Sequence, residues 1–220
     1  GEAVTEDIVS KIKEISKAKI YDVYGPTETT IWSTIKEITN DNVIDIGRPI
    51  GNTQVYILDD MLNVLPIGIE GELYIAGDGV GNGYLNREDL TNERYLKNPF
   101  LENSVMYKTG DNCKFGPDGN LHYLGRRDSQ IKIRGLRIEL EEIERIMLKY
   151  AGIKKAKVIK QTIGNREIIS AYFIANKRIR ISDLREFLCR YLPNYMIPAY
   201  FTVLDEFPYT PNGKIDKKLL

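Results

Sequence analysis

The stretch YDVYGPTETT, from Tyr21 to Thr30, combines two tyrosines, a Gly-Pro turn, three threonines and one glutamate within ten residues. After Tyr24 it has neither a helical nor a strand period. An aromatic ring can stack on a base, a hydroxyl can contact a phosphate, and a carboxylate oxygen is a hard ligand for Mg²⁺. These residue types indicate a site for a nucleotide with its metal, and a plain turn is the alternative.

Three further stretches carry residues that could serve the same chemistry. GELYIAGDGVGNGYL has five glycines from Gly71 to Gly83. They suit either a loop around a phosphate or tight turns, and the absence of a G-x-x-x-x-G-K-S/T pattern favours turns. YKTGD ends in Asp111, whose carboxylate could accept the two neighbouring hydroxyls of a ribose or cap a turn. PNGKI places Lys214 after a turn. The turn could hold its ammonium group in a fixed position, or Lys214 could be an ordinary solvated charge.

Residue periodicity predicts the elements that carry the first three stretches. Residues 4–17 have the period of a helix with an apolar face, and KIYDVY predicts a buried strand. The run NREDLTNERYL predicts one further helix, with Asn86 as its N-cap. Between residues 30 and 124, short β-rich runs separated by turns predict strands at VYILDD, GELYIAG, SVMYKTGD and NLHYLG.

The pattern changes at the polar segment GRRDSQ, which predicts a boundary between residues 1–128 and 129–220. Beyond it, QIKIRGLRIEL predicts a hairpin around Gly135. ELEEIERIMLKY predicts a helix, and ISDLREFLCRYL predicts another. Strands are predicted at AKVIKQ, IISAYFIAN and AYFTVLDEF. The whole chain is therefore predicted to be an α+β protein of two units.

Charge and composition narrow the classes of function. The net charge is zero, but residues 1–128 carry 13 basic and 21 acidic residues, against 18 and 10 in residues 129–220. The basic part could bind nucleic acid, yet no stripe of stacking aromatics accompanies it, and we expect no nucleic-acid partner. No apolar run reaches the roughly 20 residues of a membrane span, and no signal segment is recognisable. We therefore expect a cytoplasmic protein without a membrane partner.

Metal centres and nucleophilic triads based on histidine or cysteine are disfavoured. The one histidine, His122, alternates with apolar residues in a predicted strand, which is the pattern of an ordinary strand residue. The two cysteines, Cys113 and Cys189, are far apart in the sequence and have no metal-ligand spacing. We expect both to be buried or partly buried thiols.

The order of six motifs along the chain resembles the adenylate-forming enzymes, and more narrowly the adenylation domains of nonribosomal peptide synthetases. These motifs are YGPTETT, GELYIAGDGVGNGYLNRED, YKTGD, GRRDSQIKIRGLRIELEEIE, LPNYMIP and NGKID. D-alanine carrier-protein ligases and other acyl adenylate-forming ligases are the nearest alternatives, and a non-enzymatic binding module is the alternative of another class. The resemblance implies the tail of a large domain, with a core strand and a distorted β-barrel subdomain, followed by a small mobile α+β lid. The family's phosphate loop and amino-group Asp are expected in a missing N-terminal part.

The resemblance also implies a role for each matching residue. Tyr24 would lie against the adenine, Gly25 would be a further nucleotide-binding residue, Thr27 would contact a phosphate, and Glu28 would help to hold Mg²⁺. Lys214 would reach both the substrate carboxylate and the ATP phosphate, so that Lys214, Glu28 and Thr27 form the expected catalytic group. The remaining nucleotide contacts would come from Asp111, Tyr123 and Arg126. Val23, Ile31 and Trp32 would line the substrate pocket, and Asp128 would be the hinge residue.

The activity implied by this resemblance has two steps. The intact parent would form an aminoacyl adenylate and pyrophosphate from an amino acid, ATP and Mg²⁺. It would then pass the acyl group to a phosphopantetheine thiol on a downstream peptidyl carrier domain. Rotation about Asp128 would exchange Lys214 for the hairpin at Gly135 between the steps, an example of gating by domain movement. The 220-residue chain alone is expected to be inactive.

Overall fold

The computed structural model of the chain describes residues 4–41, 43–127, 130–133, 135–164 and 166–220. The described residues form two compact units, one ending at residue 127 and the other beginning at residue 130. The predicted hinge, Asp128, lies outside the described residues.

The described part of the first unit contains two helices, one 3-10 turn and eight strands. In chain order these are α1 (Glu6–Ile15), β1 (Tyr21–Tyr24), the 3-10 turn (Thr27–Thr29), β2 (Thr34–Glu37), β3 (Arg48–Pro49), β4 (Thr53–Leu58), β5 (Gly71–Gly77), α2 (Glu88–Arg94), β6 (Tyr95–Lys97), β7 (Val105–Phe115) and β8 (Leu121–Arg126). Strands β1, β2 and β3 form one antiparallel sheet, and the other five form a second. The strands predicted at VYILDD, GELYIAG, SVMYKTGD and NLHYLG are confirmed.

The long strand β7 is the centre of the larger sheet. Strand β5 pairs along one edge of β7, while β6 and β8 pair with opposite ends of its other edge. The register places Asp111 of β7 directly opposite Arg126 of β8. Sheet pairing therefore brings together two residues that the sequence separates by a turn and a strand.

Strand β5 is buried on both faces. Leu73 and Ile75 pack with Ile57 on one side, and Tyr74 packs with Leu58 on the other. Successive side chains of a strand point to opposite faces, so both faces must be covered to bury this run. Each such side chain contributes about 1.5–3 kcal/mol relative to an exposed one. The strand that leads into the glycine-rich loop is therefore firmly held.

The two N-terminal elements form as predicted but are less buried than predicted. Helix α1 buries only Val9, while Ile8 and Ile15 are 48% and 85% exposed. In β1, Tyr21 is exposed and the other three residues are half-buried. The prediction of a buried strand is wrong because, among the described residues, Tyr24 is the one residue of β1 that packs against a core cluster, and no residue of α1 does so.

The predicted N-cap of α2 is also wrong. The residue before the helix is Arg87, and Asn86 has a φ of 56°. An N-cap residue normally has an extended backbone, whereas asparagine tolerates the left-handed conformation found here. The hydroxyl of Thr91 links the helix to the preceding loop by accepting the Tyr84 amide at 2.9 Å. Asn86 thus ends the glycine-rich loop without capping the helix.

The second unit contains, in its described residues, β9 (Gln130–Ile133), β10 (Leu136–Glu139), α3 (Leu140–Met147), β11 (Ile153–Ile163), β12 (Arg166–Ala175), α4 (Ile181–Cys189), a 3-10 turn (Asn194–Met196) and β13 (Tyr200–Val203). Strands β9 and β10 pair antiparallel, which confirms the predicted hairpin. Strand β12 pairs antiparallel with β11 and parallel with β13. The predicted helices and strands of this unit are all present.

The core of the second unit lies between its helices and strands. Leu140, Ile143 and Met147 of α3 are buried as their spacing predicts, and Leu184 and Leu188 of α4 join the same cluster. Residues three and four positions apart share one helix face, so both helices bury a single stripe. Cys189, at the end of α4, is exposed, which corrects the expectation of a buried thiol, whereas Cys113 is buried.

The α+β class is confirmed. The sheets of the first unit are open, and within the described residues the larger sheet does not close into a barrel. None of the helices in the described ranges is long and apolar enough to cross a membrane.

Candidate functional site

The opening stretch forms a tight loop after β1. The chain leaves Tyr24, makes the 3-10 turn Thr27–Thr29, and returns so that the Ser33 amide donates to the Tyr24 carbonyl at 2.8 Å. A Cβ atom at Gly25 would lie 2.4 Å from the Ile31 carbonyl oxygen, so only glycine fits there. The missing period in the sequence is explained by this reversal of the chain.

The glycine-rich loop that follows β5 packs against this turn. The Gly81 amide donates to the Glu28 carbonyl at 2.8 Å, and the Thr30 hydroxyl donates to the Gly79 carbonyl at 2.7 Å. A Cβ at Gly79 would lie 3.0 Å from the Thr29 carbonyl oxygen. The glycines therefore allow two loops to come into backbone contact, in addition to the turns predicted from the sequence.

Asp111 is the centre of a cluster assembled from three strands. The residue is 5% exposed, and its carboxylate accepts the Tyr24 hydroxyl and, at 3.1 Å, Arg126 Nη1. The ring centroids of Tyr24 and Tyr123 lie 6.3 Å apart, within the range of aromatic contact. Four of the predicted nucleotide residues are therefore adjacent, although the sequence places Tyr24 87 positions before Asp111.

Tyr24 is held as a hydrogen-bond donor by its surroundings. Burial of the hydroxyl raises the pKa of Tyr24 well above its ordinary value, and the nearby negative charge of Asp111 raises it further. Both effects disfavour the phenolate. The phenol therefore remains protonated and orients the Asp111 carboxylate at neutral pH.

A consequence for stability follows at alkaline pH. The pKa of Tyr24 is higher in the folded than in the unfolded chain. The contribution of its protonated hydroxyl to the free energy of unfolding is therefore complete below about pH 10 and is lost as the pH rises further. Tyr74, whose pKa burial raises to about 12, acts in the same direction. We expect the free energy of unfolding to fall above about pH 10, and Tyr24→Phe to make this fall shallower.

This prediction is tested by urea denaturation at several pH values between about 8 and 11.5. Trp32, the one tryptophan of the chain, lies in the first unit and reports its unfolding. The difference between the wild-type protein and Tyr24→Phe isolates the contribution of Tyr24, because the substitution removes that hydroxyl alone. Identical pH profiles for the two proteins would contradict the prediction.

Glu28 is the candidate metal ligand, and the residues present fit Mg²⁺. The residue is 8% exposed, and its Oε1 accepts the hydroxyl of Tyr84 at 2.6 Å. Among the described residues, no group of three or more His, Cys, Asp or Glu side chains could hold a metal ion. Mg²⁺ is commonly bound by one or two carboxylates together with substrate phosphates and water, so a single carboxylate suits a metal that arrives with a nucleotide.

The remaining predicted site residues differ from one another in how far they are exposed. Thr27 is exposed and Val23 is half-buried, while Ile31 and Trp32 are 70% and 56% exposed. Lys214 is an exposed residue of the second unit. The roles assigned to these residues remain predictions.

Sequence reasoning missed two residues that support the site. Tyr84 contacts Glu28, and Glu72 accepts the Gly110 amide at 3.1 Å and Arg127 at 3.3 Å. Glu72 is buried, and this burial raises its pKa. Tyr84 directly follows the last glycine of the glycine-rich stretch, which is the one signal that could have drawn attention to it.

Comparison with known proteins shows the family to which the chain belongs. The family described as AMP-binding enzyme matches residues 1–85. Bacitracin synthase 3 of Bacillus licheniformis is 46% identical over 227 residues, which cover 100% of this chain and 4% of that protein. A four-domain nonribosomal peptide synthetase, solved with AMP and glycine, is 42% identical with a TM-score of 0.55, over 99% of this chain and 17% of the other. An artificially fused adenylation–PCP di-domain from Klebsiella oxytoca is 26% identical with a TM-score of 0.73, over 92% and 39%.

The chain therefore belongs to the AMP-binding, adenylate-forming enzymes. Within them it is part of an adenylation domain of the nonribosomal peptide synthetase type, which confirms the resemblance drawn from the motif order. The chain spans 4% of the length of bacitracin synthase 3.

Proposed function

We propose that this chain contributes the adenosine and metal contacts of an enzyme that activates an amino acid with ATP. A carboxylate oxygen of the amino acid attacks the α-phosphorus, and the bond to the pyrophosphate leaving group breaks. The products are an aminoacyl adenylate and pyrophosphate. The thiol of a carrier-bound phosphopantetheine then takes the acyl group, and AMP leaves.

The observation that carries this proposal is the cluster around Asp111. A carboxylate has about four acceptor positions, so orientation by Tyr24 and Arg126 is compatible with further bonds from the two hydroxyls of a ribose. The ring pair of Tyr24 and Tyr123 lies beside it and offers an aromatic surface to the adenine. Together these groups match the two parts of adenosine.

Charge on the phosphates would be balanced by a metal ion and by two side chains. Glu28 would hold Mg²⁺, which supplies positive charge beside the phosphate oxygens. The exposed hydroxyl of Thr27 would donate to a phosphate oxygen, and Lys214 would bring an ammonium group to the reacting carboxylate and phosphate. Preorganised donors and charges of this kind stabilise the developing charge of the transition state.

Three predicted pocket residues indicate the class of amino acid. Val23, Ile31 and Trp32 are apolar or aromatic and carry no charge. A charged side chain buried against them would lose its hydration without gaining a partner. We therefore propose an uncharged amino acid as the substrate.

The proposal is tested by ATP–pyrophosphate exchange with the full-length parent and a panel of amino acids that includes D-alanine. Exchange that depends on an uncharged amino acid other than D-alanine, followed by mass-spectrometric detection of the acylated carrier domain, supports the proposal. Exchange with D-alanine alone would identify the carrier-protein ligase instead. No exchange, together with salt-dependent binding to nucleic acid, would identify a binding module.

The purified 220-residue chain should not catalyse this exchange. The phosphate loop and the amino-group Asp of the family pattern are not among its residues, although the adenosine contacts are. We expect a dissociation constant for ATP of about 1 mM or weaker, which corresponds to about −4 kcal/mol. Calorimetry that detects micromolar ATP binding, or exchange by this chain alone, would contradict the prediction.

A further inference from the structure

The carboxylate of Glu28 is held by one side chain from the glycine-rich loop. The Tyr84 hydroxyl donates to Glu28 Oε1 at 2.6 Å. Glu28 is buried and Tyr84 is half-buried, so the contact is largely shielded from water. A hydrogen bond between a hydroxyl and a carboxylate is among the strong ones, because the acceptor is charged. The orientation of Glu28 therefore depends on the position of Tyr84.

Tyr84 is itself fixed by its neighbours. Its ring contacts the ring of Tyr95 edge to face, with centroids 5.6 Å apart, and its hydroxyl lies 3.4 Å from the Tyr107 hydroxyl. Its backbone amide donates to Thr91 at 2.9 Å. These contacts hold the Tyr84 ring and its hydroxyl beside Glu28.

The same loop also holds the main chain of Glu28. The Gly81 amide donates to the Glu28 carbonyl, and Gly79 accepts the hydroxyl of Thr30, two residues after Glu28. Residues 79–84 thus fix both the backbone and the side chain of Glu28, the residue assigned to the metal. A packing role alone would explain the backbone contacts but not a hydroxyl directed at Glu28 Oε1.

We propose that Tyr84 is a positioning residue that sets the orientation of Glu28 toward nucleotide-bound Mg²⁺. This inference rests on the proposed function. Hydrogen-bond partners that orient a ligating carboxylate typically change metal affinity by about 10- to 100-fold when they are removed. The effect of losing the Tyr84 hydroxyl should therefore appear in the metal dependence of nucleotide binding.

The experiment compares the full-length parent with its Tyr84→Phe variant, which keeps the ring and removes the hydroxyl. ATP affinity is measured by calorimetry in Mg²⁺ and again in excess EDTA. We expect the gain in affinity due to Mg²⁺ to fall about tenfold or more, while the affinity in EDTA changes by less than about twofold. The Mg²⁺ concentration that gives half-maximal exchange should rise by a similar factor, with an unchanged KM for the amino acid.

Two further variants make the outcome decisive. Tyr56→Phe removes the hydroxyl of another half-buried tyrosine, on β4, which accepts the Asn98 side-chain amide at 3.4 Å. This variant should leave the Mg²⁺ dependence unchanged. In a Glu28→Gln background, Tyr84→Phe should cause little additional loss, because both changes act through one carboxylate. A full additional loss there would overturn the inference.

The remaining outcomes separate this inference from the proposed function. Equal losses in Mg²⁺ and in EDTA for Tyr84→Phe would show a packing role and overturn the inference. Wild-type behaviour of Tyr84→Phe, in a parent that exchanges pyrophosphate normally, would overturn it while leaving the proposed function intact. A wild-type parent with neither exchange nor Mg²⁺-dependent ATP binding would overturn both.

Discussion

Replacement of Lys214 by alanine in the full-length parent is expected to slow adenylate formation about 100-fold or more. The change removes a cation from a step in which negative charge develops on phosphate oxygens. Transfer from a supplied aminoacyl adenylate to the carrier thiol should change only a few-fold, because we propose that the hairpin at Gly135 replaces Lys214 for that step. The two half-reactions are measured separately on the same variant.

The turn that carries Lys214 is suited to presenting a single cation. The amide and the hydroxyl of Thr210 donate to the Lys214 carbonyl at 2.8 and 3.1 Å. Gly213 has a φ of 76°, which residues with a side chain rarely adopt. Before the turn, Phe207 is buried in a cluster that Ile215 also contacts after it. The backbone of the turn is therefore held while the Lys214 side chain is exposed.

Lys217→Ala is the matched control for this prediction. Lys217 is another exposed lysine of the same C-terminal segment, and its removal should change either half-reaction by no more than about twofold. Equal losses in both half-reactions for Lys214→Ala would indicate a general effect on folding or binding. No loss in either would show that Lys214 is an ordinary solvated residue.

Asp111→Asn in the full-length parent should raise the KM for ATP about 100-fold, because two charge-assisted hydrogen bonds to the ribose would be weakened. The substitution preserves the shape of the side chain but replaces charge-assisted hydrogen bonds with neutral ones, which are about half as strong. It also removes the charge that pairs with Arg126, whose side chain is 17% exposed. We expect the first unit to lose about 2 kcal/mol of stability, below the usual cost for a fully buried pair, because Arg126 is partly solvated.

Both parts of this prediction have a clear control. Asp118→Asn changes an exposed carboxylate in the turn between β7 and β8, where Asp118 accepts the Asn120 side-chain amide at 2.7 Å. It should leave the KM for ATP within about twofold of the wild-type value and stability within about 0.5 kcal/mol. An unchanged KM for Asp111→Asn would contradict the nucleotide role, and unchanged unfolding followed by Trp32 fluorescence would contradict the stabilising role.

Local patterns in the sequence predicted the type of most elements correctly. Helix α3 follows from apolar residues three and four positions apart, and strand β5 follows from a short β-rich run between turns. Both signals depend on neighbouring residues in the chain. The exposure of Ile15 and the left-handed backbone of Asn86 were not predictable in this way, because each depends on what surrounds the residue in space.

The sequence by itself determined the family and the residue types of the site, because the order of six short motifs needs no knowledge of three-dimensional contacts. Only the tertiary structure decided which groups meet. The register of β7 with β8 places Arg126 at Asp111, and the return of the chain after Tyr24 brings that tyrosine to the same carboxylate. Tyr84 reaches Glu28 from 56 positions away. A hydrogen bond requires atoms about 3 Å apart, and strand pairing and loop packing set that distance between residues far apart in the chain.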